Sequence, residues 1–108
     1  KAQNLRRDLR ASYDQALQQV DVLAMPTTPM KAHRYEPNID TKNLITHGWN
    51  MSQNTAPFGM TGHPALSIPC AKSNGLPVGL MLVGKRFQDG TLLQAAQAFE
   101  QQVNWETF

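Results

Sequence analysis

The 108-residue sequence predicts an α/β fold, in which a helix leads into a strand and a hairpin leads into a second helix. Three observations support this class. Apolar residues recur at helical steps near both ends of the chain, an apolar run at 22–25 is closed by Pro26, and two apolar runs flank an Asn-Gly pair at 74–75. With 41% apolar and 17% charged residues, the composition is that of a globular protein.

The residues before Asp21 are predicted to form a helix, because their apolar side chains form one stripe at steps of mostly three and four. They are Leu5, Leu9, Tyr13, Ala16, Leu17 and Val20. Residues 22–25 are four consecutive apolar residues before a proline, which is typical of a strand buried on both faces. No cap and no apolar leader precede the helix, so we expect the chain to be a piece of a longer protein.

The middle of the chain is rich in proline and glycine. Residues 26–40 contain three prolines and no usable periodicity, which predicts a surface loop. We expect Thr41 to cap a short helix that runs to about Asn50. Residues 55–64 are dense in glycine and proline, which predicts a tight, irregular path rather than a helix or a strand.

The C-terminal part predicts a hairpin followed by a helix. Residues 65–70 alternate as a strand does, and residues 77–84 are almost wholly apolar, which places the second strand inside a sheet covered on both faces. The turn at 74–75 tolerates positive φ, as a tight hairpin requires. Asp89 or Thr91 is expected to cap the last helix. Its core-facing stripe is Leu92, Ala96, Phe99 and Val103.

Charge and cysteine content limit the partners and the compartment. A net charge of +2 without a basic cluster on a binding face predicts no nucleic-acid or membrane partner. No apolar run approaches the ~18 residues that a membrane span needs. The single cysteine, Cys70, excludes an internal disulfide and favours a reducing compartment, most simply the cytoplasm. At the end of an apolar strand, we expect its thiol to be buried and inert.

The residues with reactive side chains have no neighbours in the sequence that would complete a catalytic or metal-binding group. Ser67 lies in a strand without flanking glycines or a neighbouring base, which indicates a hydrogen-bonded strand serine rather than a nucleophile. His63 could serve as a general base. No carboxylate lies near it in sequence, however, so we expect its ring to bond to backbone groups of the surrounding loop. His33, His47 and His63 have no metal-ligand spacing.

Three segments resemble the C-terminal region of amidase-signature enzymes. They are residues 21–29 with Pro-Thr-Thr-Pro, residues 54–69 with Thr-Gly-His-Pro-Ala-Leu-Ser, and residues 75–84 with Gly-Leu-Pro-Val-Gly. Their spelling is closest to amidases found with nitrile hydratase. The resemblance implies that residues 1–108 are one segment, the C-terminal portion of an amidase domain. In that fold, helices cover a mixed β-sheet on both faces.

The resemblance implies a hydrolase that converts a small carboxamide to a carboxylic acid and ammonia, with two serines and a lysine and no cofactor or metal. That triad lies in a Gly/Ser-rich stretch that this sequence lacks, so we assign no catalytic residue here and expect the chain alone to be inactive. In the family, the segment before the Pro-Phe turn passes the acyl side of the substrate. This implies a substrate-binding set of His47, Trp49, Met51, Asn54 and Thr55.

Two alternatives remain open from the sequence. The first is the A subunit of glutamyl-tRNA amidotransferase, which the motifs resemble somewhat less and in which the ammonia passes to an activated tRNA-bound glutamate. The second is a non-enzymatic binding or dimerisation module, because exposed strand edges invite pairing and a homo-oligomer is then possible.

Overall fold

A three-stranded antiparallel sheet organises the chain in the computed structural model, which describes residues 1–107. Its strands are β1 (Val22–Pro26), β2 (Ala65–Ser73) and β3 (Leu76–Gly84), in the order β1-β3-β2. The helices are α1 (Ala2–Ala16), α2 (Thr41–Ser52), α3 (Ala56–Thr61) and α4 (Asp89–Gln102), followed by a 3₁₀ turn at Trp105–Thr107. The predicted α/β class is therefore confirmed.

The turn between β2 and β3 confirms the predicted hairpin. Asn74 and Gly75 have φ angles of 53° and 78°. Positive φ at both central residues is the requirement of the two-residue turn whose twist matches that of the paired strands. β3 consequently pairs with β2 on one side and with β1 on the other.

The register of β2 shifts between Pro69 and Ala71, which lie opposite the adjacent residues Gly79 and Val78. Cys70 is thus the extra residue of a bulge, a feature that tolerates the missing N–H of the preceding proline. The Cys70 thiol donates to the carbonyl oxygen of Val78 at 3.4 Å, and the residue is half-buried. The expected burial of this thiol is wrong, and the flanking Pro69 and Ala71 are half-buried as well.

Helices cover the two faces of the hairpin, as the strand pattern predicts. Side chains alternate along β3, so Leu82 points toward α4 while Met81 and Val83 point toward α1 and α3. The α4 cluster consists of Ile68, Leu82, Leu92 and Ala96. The opposite cluster consists of Phe58, Met81 and Val83, with Tyr13 against it. Val83, the innermost strand residue, is completely buried.

Strand β1 departs from its predicted burial on both faces. Ala24 and Pro26 are exposed, and the other residues of the strand are only half-buried. The reason is position: β1 lies at the edge of this sheet, and α4 packs mainly on β2 and β3. Four apolar residues in a row indicate a strand but do not indicate how near the centre of the sheet it lies.

Helix α1 is shorter than its apolar stripe predicts, since it ends at Ala16. Leu17 follows it and is completely buried, whereas Leu5 and Val20 are 65% and 44% exposed. Only the middle of the stripe, at Tyr13 and Leu17, reaches the core, because α1 contacts the rest of the fold mainly through α3. Within residues 1–107, no helix has both the length and the apolar content that crossing a membrane requires.

The caps of two helices differ from the prediction. Asp40, not Thr41, caps α2: its side chain accepts from the backbone N–H of Asn43 at 3.1 Å. That backbone bond, followed by one from the Asn43 side chain, holds the pKa of Asp40 below its usual value. Neither Asp89 nor Thr91 caps α4, because both lie inside the helix.

Helix α3 contradicts the irregular path predicted for residues 55–64. Pro57 lies in its first turn, where the missing N–H has no intrahelical partner to lose. Gly62 ends the helix with φ 77° and donates its N–H to the carbonyl oxygen of Phe58 at 2.9 Å. Pro57 and Gly62 therefore delimit this helix, which also contains Gly59, and the helix inserts Phe58 into the core.

Candidate functional site

The loop of residues 27–40 and helix α2 border an open concavity of about 360 Å³. Leu44, His47 and Met51 lie on one face of α2, since they are three and four residues apart. The lining consists of Ala32, His33, Arg34, Tyr35, Glu36, Ile39, Leu44, His47 and Met51. A mostly apolar hollow of this size with a few polar groups is typical of small-molecule sites.

Two imidazole rings stack within this lining. The rings of His33, from the loop, and His47, from α2, are 4.0 Å apart between centroids and only 8° from parallel. The lone pairs of an imidazole lie in the plane of its ring, so two stacked rings do not converge on one metal ion. Among residues 1–107, no three His, Cys, Asp or Glu side chains form a group that could hold a metal.

The predicted substrate-binding residues separate into two groups. His47 and Met51 line the concavity together, because four residues make about one helical turn. Trp49 is 71% exposed and does not line it. A residue two positions from His47 lies about 200° around the helix, on a different face.

Asn54 and Thr55 lie outside the concavity, at the connection between α2 and α3. Asn54 donates from Nδ2 to the carbonyl oxygen of Pro26 at 2.9 Å. The hydroxyl of Thr55 donates to the carbonyl oxygen of Ser52 at 3.1 Å. The Asn54 bond holds the end of α2 beside β1, and the Thr55 bond is local to that end. A substrate contact for either residue stays a prediction.

A second polar feature lies on the sheet beside this connection. The hydroxyls of Thr27 and Ser67 are 2.6 Å apart, and the N–H of Thr27 donates to the carbonyl oxygen of Gly79 at 3.0 Å. Both hydroxyls crowd the position of a Cβ on Gly79, at 2.7 and 2.8 Å. Ser67 is hydrogen-bonded, as expected, but to a hydroxyl rather than to a base that could activate it.

His63 belongs to a row of three side chains, in which His63 and Thr61 are buried and Asp14 is partly exposed. Its Nδ1 is 2.8 Å from the Thr61 hydroxyl, and its Nε2 is 3.1 Å from Asp14 Oδ1. The expected bonding to loop backbone is therefore wrong. The partner carboxylate comes from α1, 49 residues earlier in the chain, where inspection of the neighbouring sequence does not find it.

The chemistry of this row follows from its donors and acceptors. A carboxylate only accepts, so Nε2 carries the hydrogen in its bond to Asp14, and Nδ1 bonds to the Thr61 hydroxyl, which can donate or accept. Carboxylate, imidazole and hydroxyl stand in the order of a nucleophile triad. Thr61 has no exposed surface, however, and an oxygen without access to solvent cannot reach a substrate. The row connects α1 to the segment between α3 and β2.

Two arginines complete the same junction. Arg10 Nε donates to the carbonyl oxygen of Thr61 at 2.8 Å, so α1 is bound to the end of α3 at a second point. Arg86, just after β3, lies 3.6 Å from Asp14 through Nη2. The junction thus joins three parts of the chain that are far apart in sequence.

Comparison with known proteins gives a consistent family. Residues 1–93 match the family model described as Amidase. The chain is 48% identical over 101 residues to a Rhodococcus erythropolis protein described as an uncharacterized protein in the nthA 5' region. It is 42% identical over 103 residues to the enantioselective amidase of Rhodococcus rhodochrous. These alignments cover 93% and 94% of this chain, but 51% and 20% of the two relatives.

The fold matches as well. The crystal structure of the A subunit of glutamyl-tRNA(Gln) amidotransferase from Thermotoga maritima superposes with a TM-score of 0.79 at 30% sequence identity. The superposition covers 95% of this chain and 22% of that one. The chain therefore spans from about a fifth to about half of the length of the proteins it resembles.

Proposed function

The chain belongs to the amidase family, also called the amidase-signature family, and on this basis we propose that it is the C-terminal part of an amidase. The whole protein would convert a carboxamide to a carboxylic acid and ammonia. The observation that supports a substrate role for this part is the apolar concavity beside α2, whose wall contains His47 and Met51. It lies within a fold that the family shares over nearly the whole chain.

We assign the bond-breaking chemistry to the rest of the longer protein. There, a serine nucleophile would be activated by a neutral lysine through a second serine, and backbone N–H groups would hold the oxyanion. Within residues 1–107, the two hydroxyls closest to that role are unsuitable. Thr61 is completely buried, and Ser67 is paired with Thr27 rather than with a base.

The contribution of this chain is then to shape the acyl side of the site. His47 and Met51 border the space, while Asn54 holds the C-terminal end of α2 beside β1 and Thr55 bonds back to Ser52 within the connection. Trp49 projects from another face of α2 and would reach a substrate only across a surface that the rest of the protein completes.

Ammonia release tests this proposal directly. The full-length protein that contains these residues should release ammonia from benzamide or acetamide, and the 108-residue chain alone should not exceed the uncatalysed background. Turnover by the chain alone would place catalytic groups inside it. No release by the full-length protein from any simple amide would refute the amidase assignment.

The structural similarity to the A subunit of an amidotransferase supports a second candidate function. In that case the ammonia would not leave as product but would pass to an activated glutamate on tRNA. Purification of the full-length protein separates the two candidates. A partner protein that copurifies, with amidation that depends on ATP, favours the amidotransferase, whereas a protein active without either is an amidase.

A further inference from the structure

We propose that His33 and His47 form a flat aromatic wall that makes the concavity prefer amides with a planar aryl acyl group over saturated ones of equal size. This inference rests on the proposed amidase function and deepens it. His33 lies in a loop whose sequence has no periodicity. Its position beside His47 is a result of the tertiary structure alone.

The stack supplies the flat surface. The two rings are 4.0 Å apart and 8° from parallel, so they contact each other over one face each. The opposite face of each ring stays flat and free of the other ring. His33 is exposed and His47 is half-buried, so this surface is open to a ligand. A planar ring can stack on it across its whole area, whereas a puckered ring touches it only at a few hydrogens.

The remaining lining favours an uncharged aromatic group. Ile39, Leu44 and Met51 supply aliphatic and thioether contacts, and a methionine sulfur interacts favourably with aromatic rings. Arg34 and Glu36 carry opposite charges in the same lining, so it offers no net charge that would select an ionic acyl group.

Tyr35 adds a second aromatic surface, whose ring is free to change its orientation. It lines the same concavity and is 84% exposed, so little in the described chain restrains its ring. The hollow of about 360 Å³ lies at the small end of the range for ligand sites, which suits a single ring better than a fused system.

The test compares two amides of the same size in the full-length protein. Benzamide and cyclohexanecarboxamide differ in planarity, so the ratio of their kcat/KM values reports on stacking rather than on volume. His33→Ala should lower this ratio about fivefold to tenfold, the value of one lost aromatic contact. His33→Phe keeps a flat ring and should retain the ratio. Phe87→Leu removes an aromatic that is 92% exposed outside the concavity and should leave the ratio unchanged.

The outcomes separate this inference from the proposed function. If ammonia is released but His33→Ala leaves the ratio unchanged, the aromatic wall is wrong and the amidase assignment stands. If no amide is hydrolysed, the amidase assignment fails, and benzamide binding followed by NMR still decides the inference. Benzamide should then shift the imidazole Hε1 signals of His33 and His47 more than cyclohexanecarboxamide does. Equal shifts, or none, would overturn the aromatic wall.

Discussion

Replacing His63 with alanine tests whether the row of Asp14, His63 and Thr61 stabilises the fold or performs chemistry. The His63 side chain has no exposed surface, and its ring packs edge-on against Tyr13 with centroids 5.7 Å apart. Alanine removes the ring and both of its hydrogen bonds. It also takes one partner from the Thr61 hydroxyl, which is completely buried.

The expected loss of stability has two parts. Truncation of a buried ring to alanine costs about 2–3 kcal/mol, at or below the lower end of the range for larger aromatics. A buried hydroxyl that loses its partner adds about 1–2 kcal/mol. The sum of about 3–5 kcal/mol is a large share of the stability of a typical domain, about 5–15 kcal/mol. The variant should therefore unfold at a much lower urea concentration.

Urea unfolding followed by far-UV circular dichroism measures this effect. Asp14→Asn is the graded comparison: its amide oxygen still accepts from Nε2, so the cost should be only about 1 kcal/mol. His33→Ala removes an exposed histidine and should change stability by less than about 0.5 kcal/mol.

Two results would refute this reasoning. A wild-type unfolding midpoint for His63→Ala would mean that the row does not hold α1 against α3 and β2. Wild-type stability together with a large loss of ammonia release in the full-length protein would mean that His63 takes part in catalysis despite its burial.

Three further substitutions test close packing, helix propensity and helix capping. Gly79→Ala places a Cβ 2.7 Å from the Thr27 hydroxyl and 2.8 Å from that of Ser67, and thermal unfolding should show a loss of about 1–3 kcal/mol. Gly48→Ala, with nothing within 4 Å, should instead stabilise α2, and equal effects of the two changes would contradict the crowding. The lowered pKa of Asp40 makes its stabilisation of α2 complete above the unfolded pKa of about 3.9 and lost as pH falls through the folded value. Asp40→Asn keeps a cap that does not titrate, so it should abolish this acid-induced loss of helicity in circular dichroism, and an unchanged acid transition would argue against the cap.

Local signals predict those parts of the fold that depend on neighbouring residues. The turn at 74–75 requires positive φ, and the stripe that contains Leu92 and Ala96 can be buried only on one helix face, so both follow from the sequence. Helix α3 escapes the prediction because proline and glycine usually interrupt helices. Pro57 in the first turn and Gly62 just after the last one occupy positions that helix ends favour.

The candidate site is predictable only in part. His47 and Met51 share the concavity because helical spacing places them on one face, and the same spacing places Trp49 on a different face. His33 and Tyr35 are not predicted as site residues because a loop without periodicity gives no sign of which side chains point inward.

Short motifs in the sequence are enough to identify the family of this chain, and local residue patterns are enough to predict its hairpin and the apolar faces of its helices. Tertiary packing alone makes β1 an edge strand, brings Asp14 to His63 across 49 residues, and stacks His33 on His47. Contacts between distant residues depend on how the elements pack together, and no local pattern encodes that packing.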